Sequence, residues 1–238
     1  MSSIRSEFDV QRWRDDRRAE LLAARIAVPV PQRQQWSQVI TQQLAAHFPM
    51  LQGVVVGGYW PFRGEFDPRF LMCQLRDDGS RLALPVVVRK NTPVQFREWW
   101  PGALTVKAAL GLPVPTGTEV LVPQVLLIPP VGFDDHGYRL GYGGGYFDRT
   151  LAEMRAQPLK IGVGFEISRL PTIHPQAHDV AMDFIVTEAG VYSVGEAGLR
   201  LLKAAPTTTP TPPTGRPSPA PSTDPAQSPA GSRIASQH

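Results

Sequence analysis

The sequence has few of the features that mark secreted, membrane-spanning and metal-cluster proteins. Its single cysteine, Cys73, excludes an internal disulfide and a cysteine-based zinc cluster. No apolar run approaches the about 20 residues that a helix needs to span a bilayer. Residues 1–18 lack the apolar core of a secretory signal, and their acidic side chains disfavour an organellar transit peptide. We therefore expect a cytoplasmic enzyme or binding protein that has no membrane partner.

Lysine is also scarce, because arginine supplies 20 of the 24 basic residues. With 21 acidic residues the formal net charge is only +3, which argues against a protein that coats nucleic acid. Seven of the arginines nevertheless fall within the first 33 residues. This local concentration predicts a partner that carries phosphates or carboxylates, and a solvated charged helix face is the alternative.

Large apolar side chains are nearly absent from residue 204 onward, where nine of the 25 prolines are found. Such a segment cannot bury enough surface to offset the entropy of ordering it, so we predict a disordered tail over residues 204–238. A proline-rich tail can dock into an aromatic-lined groove, but a solubilising extension is the favoured interpretation. The folded domain is predicted to cover residues 8–200 as a single unit.

The rest of the sequence alternates between helical and strand patterns. Apolar residues at helical spacing predict helices over residues 8–26, between Pro31 and Pro49, over 67–76 and over 146–154. Candidate buried strands are LQGVVVGGYW, RLALPVVV, VLLIPPVGF, LKIGVGF and MDFIVTE. Buried strands that alternate with helices indicate an α/β domain with a mostly parallel sheet.

Residues 139–149, RLGYGGGYFDR, combine glycines with fixed charge. They end a long predicted loop, from 130 to 145, that leaves the carboxyl end of a strand, where open α/β sheets bind ligands. The glycine amides can approach a ligand directly, and the helix that follows favours an anion. Neither the P-loop nor the dinucleotide fingerprint fits. A phosphate site is predicted, with a plain flexible connection as the alternative.

Charged residues at both ends of this loop favour the phosphate site. Arg139 offers two parallel donors to phosphate oxygens, and Asp148 offers a hard oxygen to Mg²⁺, the usual companion of ATP. Structural roles remain open for both, since Asp148 can favour the helix start and Arg139 can pair with Asp134 or Asp135.

The stretch LLIPPVGFDDHGYRLGYGGGYFDRTL resembles the signature of the 5-formyltetrahydrofolate cyclo-ligase family, with weaker similarity over about residues 10–192. The resemblance implies a three-layer α/β/α fold. It also implies an ATP- and Mg²⁺-dependent conversion of 5-formyltetrahydrofolate to 5,10-methenyltetrahydrofolate with release of ADP and phosphate. Such chemistry asks a protein mainly for positioning and charge neutralisation.

The resemblance also implies roles for individual residues. Those implied to bind ATP are Arg14, Arg18, Arg139, Leu140, Gly141, Tyr142, Gly143, Gly144, Gly145, Tyr146 and Phe147. Those implied to bind the folate are Trp60, Glu65, Tyr142, Gly143, Gly144, Gly145 and Tyr146, with Tyr59 as a further candidate wall of the pterin site. Arg139, Tyr142 and Asp148 are implied to be catalytic, and Asp148 and Asp179 to hold Mg²⁺, with Asp183 as a less favoured alternative. Arg14 stands where the family has lysine, which keeps the charge but alters the geometry.

Two other classes of function remain as alternatives. A catalytically silent relative would bind nucleotide or folate as a regulator, but the intact charged residues argue against it. An RNA-binding module would use the arginine-rich helix, yet the sequence lacks the repeated aromatic and basic residues typical of single-strand binders. We expect a monomer that acts on small molecules and binds no nucleic acid.

Overall fold

The computed structural model describes residues 7–108 and 111–204. The predicted tail therefore lies outside the described residues, apart from Ala204. Among the described residues the α-helices are α1 (Glu7–Ala27), α2 (Val30–His47), α3 (Arg69–Asp77) and α4 (Tyr146–Glu153). Short 3₁₀ turns lie at Pro49–Leu51 and Glu166–Ser168. None of these helices combines the length and apolar character needed to cross a membrane.

The strands of the described residues are mostly short. The first seven are β1 (Val55–Gly57), β2 (Arg81–Val86), β3 (Gln95–Glu98), β4 (Thr105–Lys107), β5 (Pro113–Pro115), β6 (Val120–Leu121) and β7 (Val125–Ile128). The others are β8 (Gly132–Asp134), β9 (Arg139–Leu140), β10 (Leu159–Val163), β11 (Arg169–Leu170), β12 (Phe184–Thr187), β13 (Gly190–Gly195) and β14 (Gly198–Ala204).

Within the described residues the central sheet has nine strands in the order β14-β13-β12-β10-β7-β1-β2-β3-β6. The five strands from β12 to β2 run parallel, which confirms the predicted parallel sheet at its centre. Two antiparallel strands close each edge, and they were not predicted. The last of them, β14, continues to Ala204, four residues past the predicted end of the domain.

Helices cover both faces of this sheet, as the three-layer prediction requires. Val125 and Leu127 of β7 pack in one core cluster with apolar residues of α2 and α3. Leu126 and Ile128 point to the other face and share a cluster with Leu151 of α4. Alternate residues of one strand thus reach opposite layers, which explains why β7 is apolar throughout.

The chain reverses its direction across the sheet between β1 and β7. From β1 it proceeds through α3 to β2 on one side, whereas from β7 it proceeds through α4 to β10 on the other. The carboxyl ends of β1 and β7 therefore flank a topological switch point, where open α/β sheets form ligand crevices. The loop with Glu65 follows β1, and the glycine-rich segment follows β7.

The predicted long loop from 130 to 145 was wrong in part, because it contains an antiparallel hairpin of β8 and β9. A buried acid organises the hairpin turn: Asp134 accepts hydrogen bonds from the main-chain amides of His136, Tyr138 and Ile173, each at 3.0 Å. Gly137 closes the turn at φ +78°, a conformation that favours glycine. The hairpin places Arg139 in a strand instead of a free loop.

We expect Asp134→Ala to destabilise the protein strongly. Three main-chain amides would lose their acceptor inside the protein, which should lower the free energy of unfolding by about 3 kcal/mol or more. Asp135→Ala is the control, because that side chain is 56% exposed and pairs at the surface with Arg169, worth below about 1 kcal/mol. Urea denaturation of both variants measures the difference, and equal losses would contradict this role of Asp134.

Candidate active site

One face of α1 supplies three arginines to the switch point. Arg14, Arg18 and Arg25 follow one another at spacings of four and seven residues, which places them on the same side of the helix. Arg14 and Arg25 are buried and Arg18 is partly buried. A helix that buries cations needs polar partners for them, and each of the three arginines donates to at least one acceptor in a loop outside α1.

Arg14 is paired with Asp179, one of the predicted metal ligands. Its Nη2 forms an ion pair with Oδ2 of Asp179, and Nη1 lies 3.4 Å from Oδ1. The guanidinium also donates to the carbonyls of Ile173 and His174 at 3.1 and 3.0 Å. Both carboxylate oxygens of Asp179 therefore face Arg14, and Oδ2 accepts the amide of Gln176 at 2.7 Å as well.

Arg18 contacts the glycine-rich loop itself. Its Nε donates to the carbonyl of Gly141 at 2.8 Å, and its Nη1 forms an ion pair with Asp15 one turn away. Burial lowers the pKa of Arg18 from its usual value, and the attraction of Asp15 opposes that shift. A Cβ added at Gly143 would lie 3.7 Å from the guanidinium carbon, so Arg18 also passes close to this glycine.

Arg139 lies at the start of the loop and Asp148 in the first turn of α4. Nη2 of Arg139 is 3.1 Å from Oδ1 of Asp148, and Nη1 donates to the carbonyl of Val180 at 3.1 Å. The amide of Val180 donates in turn to Oδ1 of Asp148 at 3.2 Å. Burial lowers the pKa of Arg139, while Asp148 and Asp179 oppose the shift by their charges. The alternative that Arg139 pairs with Asp134 or Asp135 is wrong, because Arg139 pairs with Asp148.

The loop from Gly141 to Gly145 uses conformations that only glycine adopts easily. Gly143 has φ +92° and Gly145, which precedes α4, has φ +60°. Arg149 folds back from α4 and donates to the carbonyl of Gly144, with its guanidinium carbon 5.5 Å from the ring centre of Tyr146. The loop is therefore held on both sides, by Arg18 at Gly141 and by Arg149 at Gly144.

Tyr142 joins this loop to the acid that was predicted to bind the pterin. Its hydroxyl donates to Oε1 of Glu65 at 2.8 Å and accepts from Nη2 of Arg25 at 2.7 Å. Burial raises the pKa of Glu65, and the charge of Arg25 is the first of the effects that oppose the rise. Burial, with the charge of Glu65, also raises the pKa of Tyr142 above its usual value.

The aromatic residues after β1 differ in their surroundings. Tyr59 is 3% exposed, donates to the carbonyl of Phe66 at 2.9 Å and belongs to the core. Trp60 is only partly buried, with the guanidinium of Arg69 4.4 Å from its ring centre and the Trp99 ring at 6.1 Å. Of the two, Trp60 is the better placed to contact a ligand.

The structure brings together most of the residues predicted for the site. The residues predicted for the phosphate and metal lie in one group, in which Asp179 acts electrostatically on both Arg18 and Arg139. The group consists of Arg14, Arg18, Arg139, Asp148 and Asp179. Leu140 is buried within β9. Phe147 lies in α4, and its ring centre is 5.8 Å from the guanidinium carbon of Arg139. Asp183 lies elsewhere, because it accepts the amide of Lys160 at 2.7 Å and pairs with its ammonium group.

A magnesium ion would find part of its coordination here. Among residues 7–108 and 111–204, no cluster of three or more His, Cys, Asp or Glu side chains forms a complete protein metal site. Mg²⁺ commonly takes one or two carboxylates and completes its shell with waters and substrate phosphates. Asp148 fits that pattern, since its ion pair and its amide contact both use Oδ1.

Comparison with known proteins agrees with this geometry. A model described as the 5-formyltetrahydrofolate cyclo-ligase family matches residues 10–188. This chain belongs to the 5-formyltetrahydrofolate cyclo-ligase family. The match covers α1 from residue 10, the loop after β1, the glycine-rich loop and Asp179, so every residue of the candidate site lies inside it. The resemblance predicted from the glycine-rich signature is confirmed, and the chain is a member of a family of enzymes.

Curated relatives and solved structures in this family match about three quarters of this chain. The 5-formyltetrahydrofolate cyclo-ligase of Mycolicibacterium smegmatis is 31% identical over an alignment of 179 residues, and the match covers 71% of this chain and 91% of the relative. The Escherichia coli protein of the same name is 28% identical over 177 residues, covering 71% and 96% of the two chains.

Two solved 5,10-methenyltetrahydrofolate synthetases share the fold. The Mycoplasma pneumoniae structure superposes with a TM-score of 0.61 at 25% identity and covers 74% of this chain and 98% of that one. The Aquifex aeolicus structure has a TM-score of 0.66 at 27% identity and covers 75% and 91%. The predicted α/β/α fold class is confirmed by these likenesses.

For Arg25 and Arg149 of this cyclo-ligase family member, no site role was predicted from the sequence. Arg25 continues the helical face of Arg14 and Arg18, so its spacing alone pointed to the same side of α1. Arg149 ends the stretch RLGYGGGYFDR and lies one turn after Gly145. No sequence pattern indicated that Arg149 folds back onto Gly144.

We expect Arg14→Met to cost about 3–5 kcal/mol of unfolding free energy, because it leaves the buried Asp179 carboxylate without its cation. Arg17→Met on the same helix is the control, since Arg17 pairs with Glu20 at the surface and should lose below about 1 kcal/mol. The double variant Arg14→Met with Asp179→Asn should recover part of the loss. Thermal and urea unfolding measure all three, and a harmless Arg14→Met would rule out a stabilising pair.

Proposed function

We propose that this protein catalyses the ATP-dependent cyclisation of 5-formyltetrahydrofolate to 5,10-methenyltetrahydrofolate, with release of ADP and phosphate. The observation that carries this function is the link through Tyr142. One side chain of the glycine-rich loop, which is suited to a triphosphate, bonds to the buried acid suited to the pterin. Two ligands bound to these parts would meet at the switch point of the sheet.

The phosphate side of the site supplies cations and amides to ATP. Arg18 is already held by the carbonyl of Gly141, and Arg139 is held by the carboxylate of Asp148. We further propose that Arg14 exchanges Asp179 for a phosphate when ATP binds. Positive charge placed around the transferring group before reaction is the usual source of catalysis in phosphoryl transfer.

Magnesium would be held by Asp148, with Asp179 as the second ligand once Arg14 has moved to phosphate. Bound Mg²⁺ neutralises charge on the phosphates of ATP. Asp148 would be able to hold the ion beside these neighbours, because its contacts with Arg139 and Val180 both use Oδ1.

The folate side of the site orients the pterin through Glu65. An ionised carboxylate has acceptors on both oxygens, which suits the ring N–H and amino donors of a pterin edge. Trp60 would wall the ring, and Tyr142 to Tyr146 would contact the folate from the glycine-rich loop. The two sides together would hold the formyl oxygen near the terminal phosphate of ATP.

The reaction then needs two steps with balanced bonds. The formyl oxygen attacks the γ-phosphorus, an O–P bond forms, and the bond from that phosphorus to ADP breaks. The N10 lone pair next attacks the activated formyl carbon, and the C–O bond breaks so that inorganic phosphate leaves. Loss of the N10 proton to solvent leaves the methenyl bridge between N5 and N10. The protein contributes position and charge, so a covalent enzyme intermediate is not needed.

The decisive assay mixes the purified full chain with 5-formyltetrahydrofolate and MgATP and follows the absorbance of the methenyl product. Wild type should turn over, and Asp148→Asn should lose at least about 100-fold in turnover while its far-UV circular dichroism stays unchanged. Glu153→Gln, at the exposed end of the same helix, is the matched control and should keep full activity.

Each result has a separate meaning. A wild-type protein that binds ATP or folate without turnover would identify a silent relative and remove the proposed activity. Full activity in Asp148→Asn would leave the activity standing but remove the metal role of Asp148.

A further inference from the structure

Arg25 is a buried cation to which the phosphate chemistry above gives no role. It is 4% exposed and lies two turns beyond Arg18 on α1, next to Glu65. Its donors reach three separate segments: the carbonyl of Arg63 at 3.1 Å, the carbonyl of Pro130 at 3.2 Å and the hydroxyl of Tyr142 at 2.7 Å. These segments are the loop after β1, the loop after β7 and the glycine-rich loop. A planar guanidinium with five donors suits such a junction, and an ammonium group does not.

The same guanidinium faces Glu65. Nη2 of Arg25 lies 3.8 Å from Oε1 of Glu65, and the hydroxyl of Tyr142 bonds to both groups. The other oxygen, Oε2, accepts the main-chain amide of Phe62 at 2.8 Å. Because the Glu65 side chain is only 4% exposed, its charge is supported by these partners instead of water.

Three titratable groups face Glu65 from the elements around it. Arg25 comes from α1, Tyr142 from the glycine-rich loop and Tyr59 from the segment after β1. Burial raises the pKa of Glu65, and Arg25 is the strongest opposing influence. Arg25 is therefore the cation that favours the ionised carboxylate.

Ionisation decides what Glu65 can bind. A carboxylate offers acceptors on both oxygens, whereas a protonated acid turns one oxygen into a donor that would meet the N–H groups of a pterin edge. In the structure, the hydroxyl of Tyr142 donates to the Oε1 atom that such an N–H group would use. Arg25 touches both the hydroxyl and the carboxylate, so it fixes their relative position.

We propose that Arg25 is a positioning residue of the active site, which holds the Glu65 carboxylate ionised and aligned with Tyr142 so that it can accept the donor edge of a pterin. This role rests on the proposed function, because the ligand is the folate of that reaction. The competing explanation is that Arg25 only holds three loops together. In that case the loss of Arg25 would weaken the binding of every ligand equally.

The first test measures Glu65 directly and uses no ligand. Carboxyl ¹³C titration of glutamate-labelled full chain, with Glu65→Gln to assign the signal, follows Glu65 across about pH 4 to 8. Arg25→Met should raise the pKa of Glu65 by about one unit or more, whereas Arg25→Lys should leave it nearly unchanged because the charge is kept. Arg97→Met is the control, since Arg97 is a partly buried arginine that donates to the carbonyl of Thr118 at 2.8 Å. An unchanged pKa in Arg25→Met would overturn the electrostatic part of the role.

The second test compares two ligands by calorimetry at neutral pH. Arg25→Met should weaken binding of 5-formyltetrahydrofolate at least about tenfold but binding of MgATP by less than about threefold. Arg25→Lys should also weaken folate binding about tenfold, since an ammonium group cannot reach three acceptors at once. Equal losses for both ligands, or wild-type folate binding in Arg25→Lys, would overturn the positioning role.

The two tests separate this inference from the proposed function. If wild type binds no 5-formyltetrahydrofolate, the proposed function fails, and with it the assignment of the ligand, whatever the titration shows. If wild type binds folate but the pKa of Glu65 is the same in wild type and in Arg25→Met, the proposed function stands and the inference fails. Should Arg25→Met not fold, Arg25→Lys decides by its folate affinity.

Discussion

The structure depends on burying the arginines of one helix face beside carboxylates and carbonyls from distant loops. Arg14 and Arg25 are almost fully buried, and a buried cation is costly unless its donors are satisfied. The acceptors come from segments that lie far away in sequence, such as Asp179, which is 165 residues from Arg14. The first helix therefore packs on the domain through charged side chains. The same contacts that hold this helix also gather the polar groups of the candidate site.

The glycine-rich loop derives its position from a small hairpin next to it. Asp134 fixes the turn between β8 and β9, and β9 then delivers Arg139 to Asp148 at the start of α4. Positive φ values at Gly143 and Gly145 let the chain turn into that helix. Two arginines hold the loop, because Arg18 donates to the carbonyl of Gly141 and Arg149 to that of Gly144. Such a loop is preorganised, which reduces the entropy lost when a ligand binds.

The helices and the central strands could be predicted from the sequence because their signals are local. Phosphate binding by the glycine-rich loop stays a prediction. Apolar spacing predicted a helix over residues 8–26, close to the observed Glu7–Ala27, and β-branched runs predicted the strands at the centre of the sheet. The edge strands escaped prediction because half-exposed strands such as β3 carry no apolar run. The hairpin of β8 and β9 escaped because strands of two or three residues are defined only by their partners.

The sequence by itself determined the α/β class, the family and the kinds of residue at the site, because glycine conformation and side-chain charge are properties of the residues themselves. Only the tertiary structure decided the pairs. It placed Arg14 on Asp179 and Arg139 on Asp148, and it moved Asp183 to the sheet beside Lys160. It also brought Arg25 to Glu65 through Tyr142. The physical reason is that hydrogen bonds and ion pairs form between groups that the fold brings within about 3 Å, a distance that is unrelated to separation along the chain.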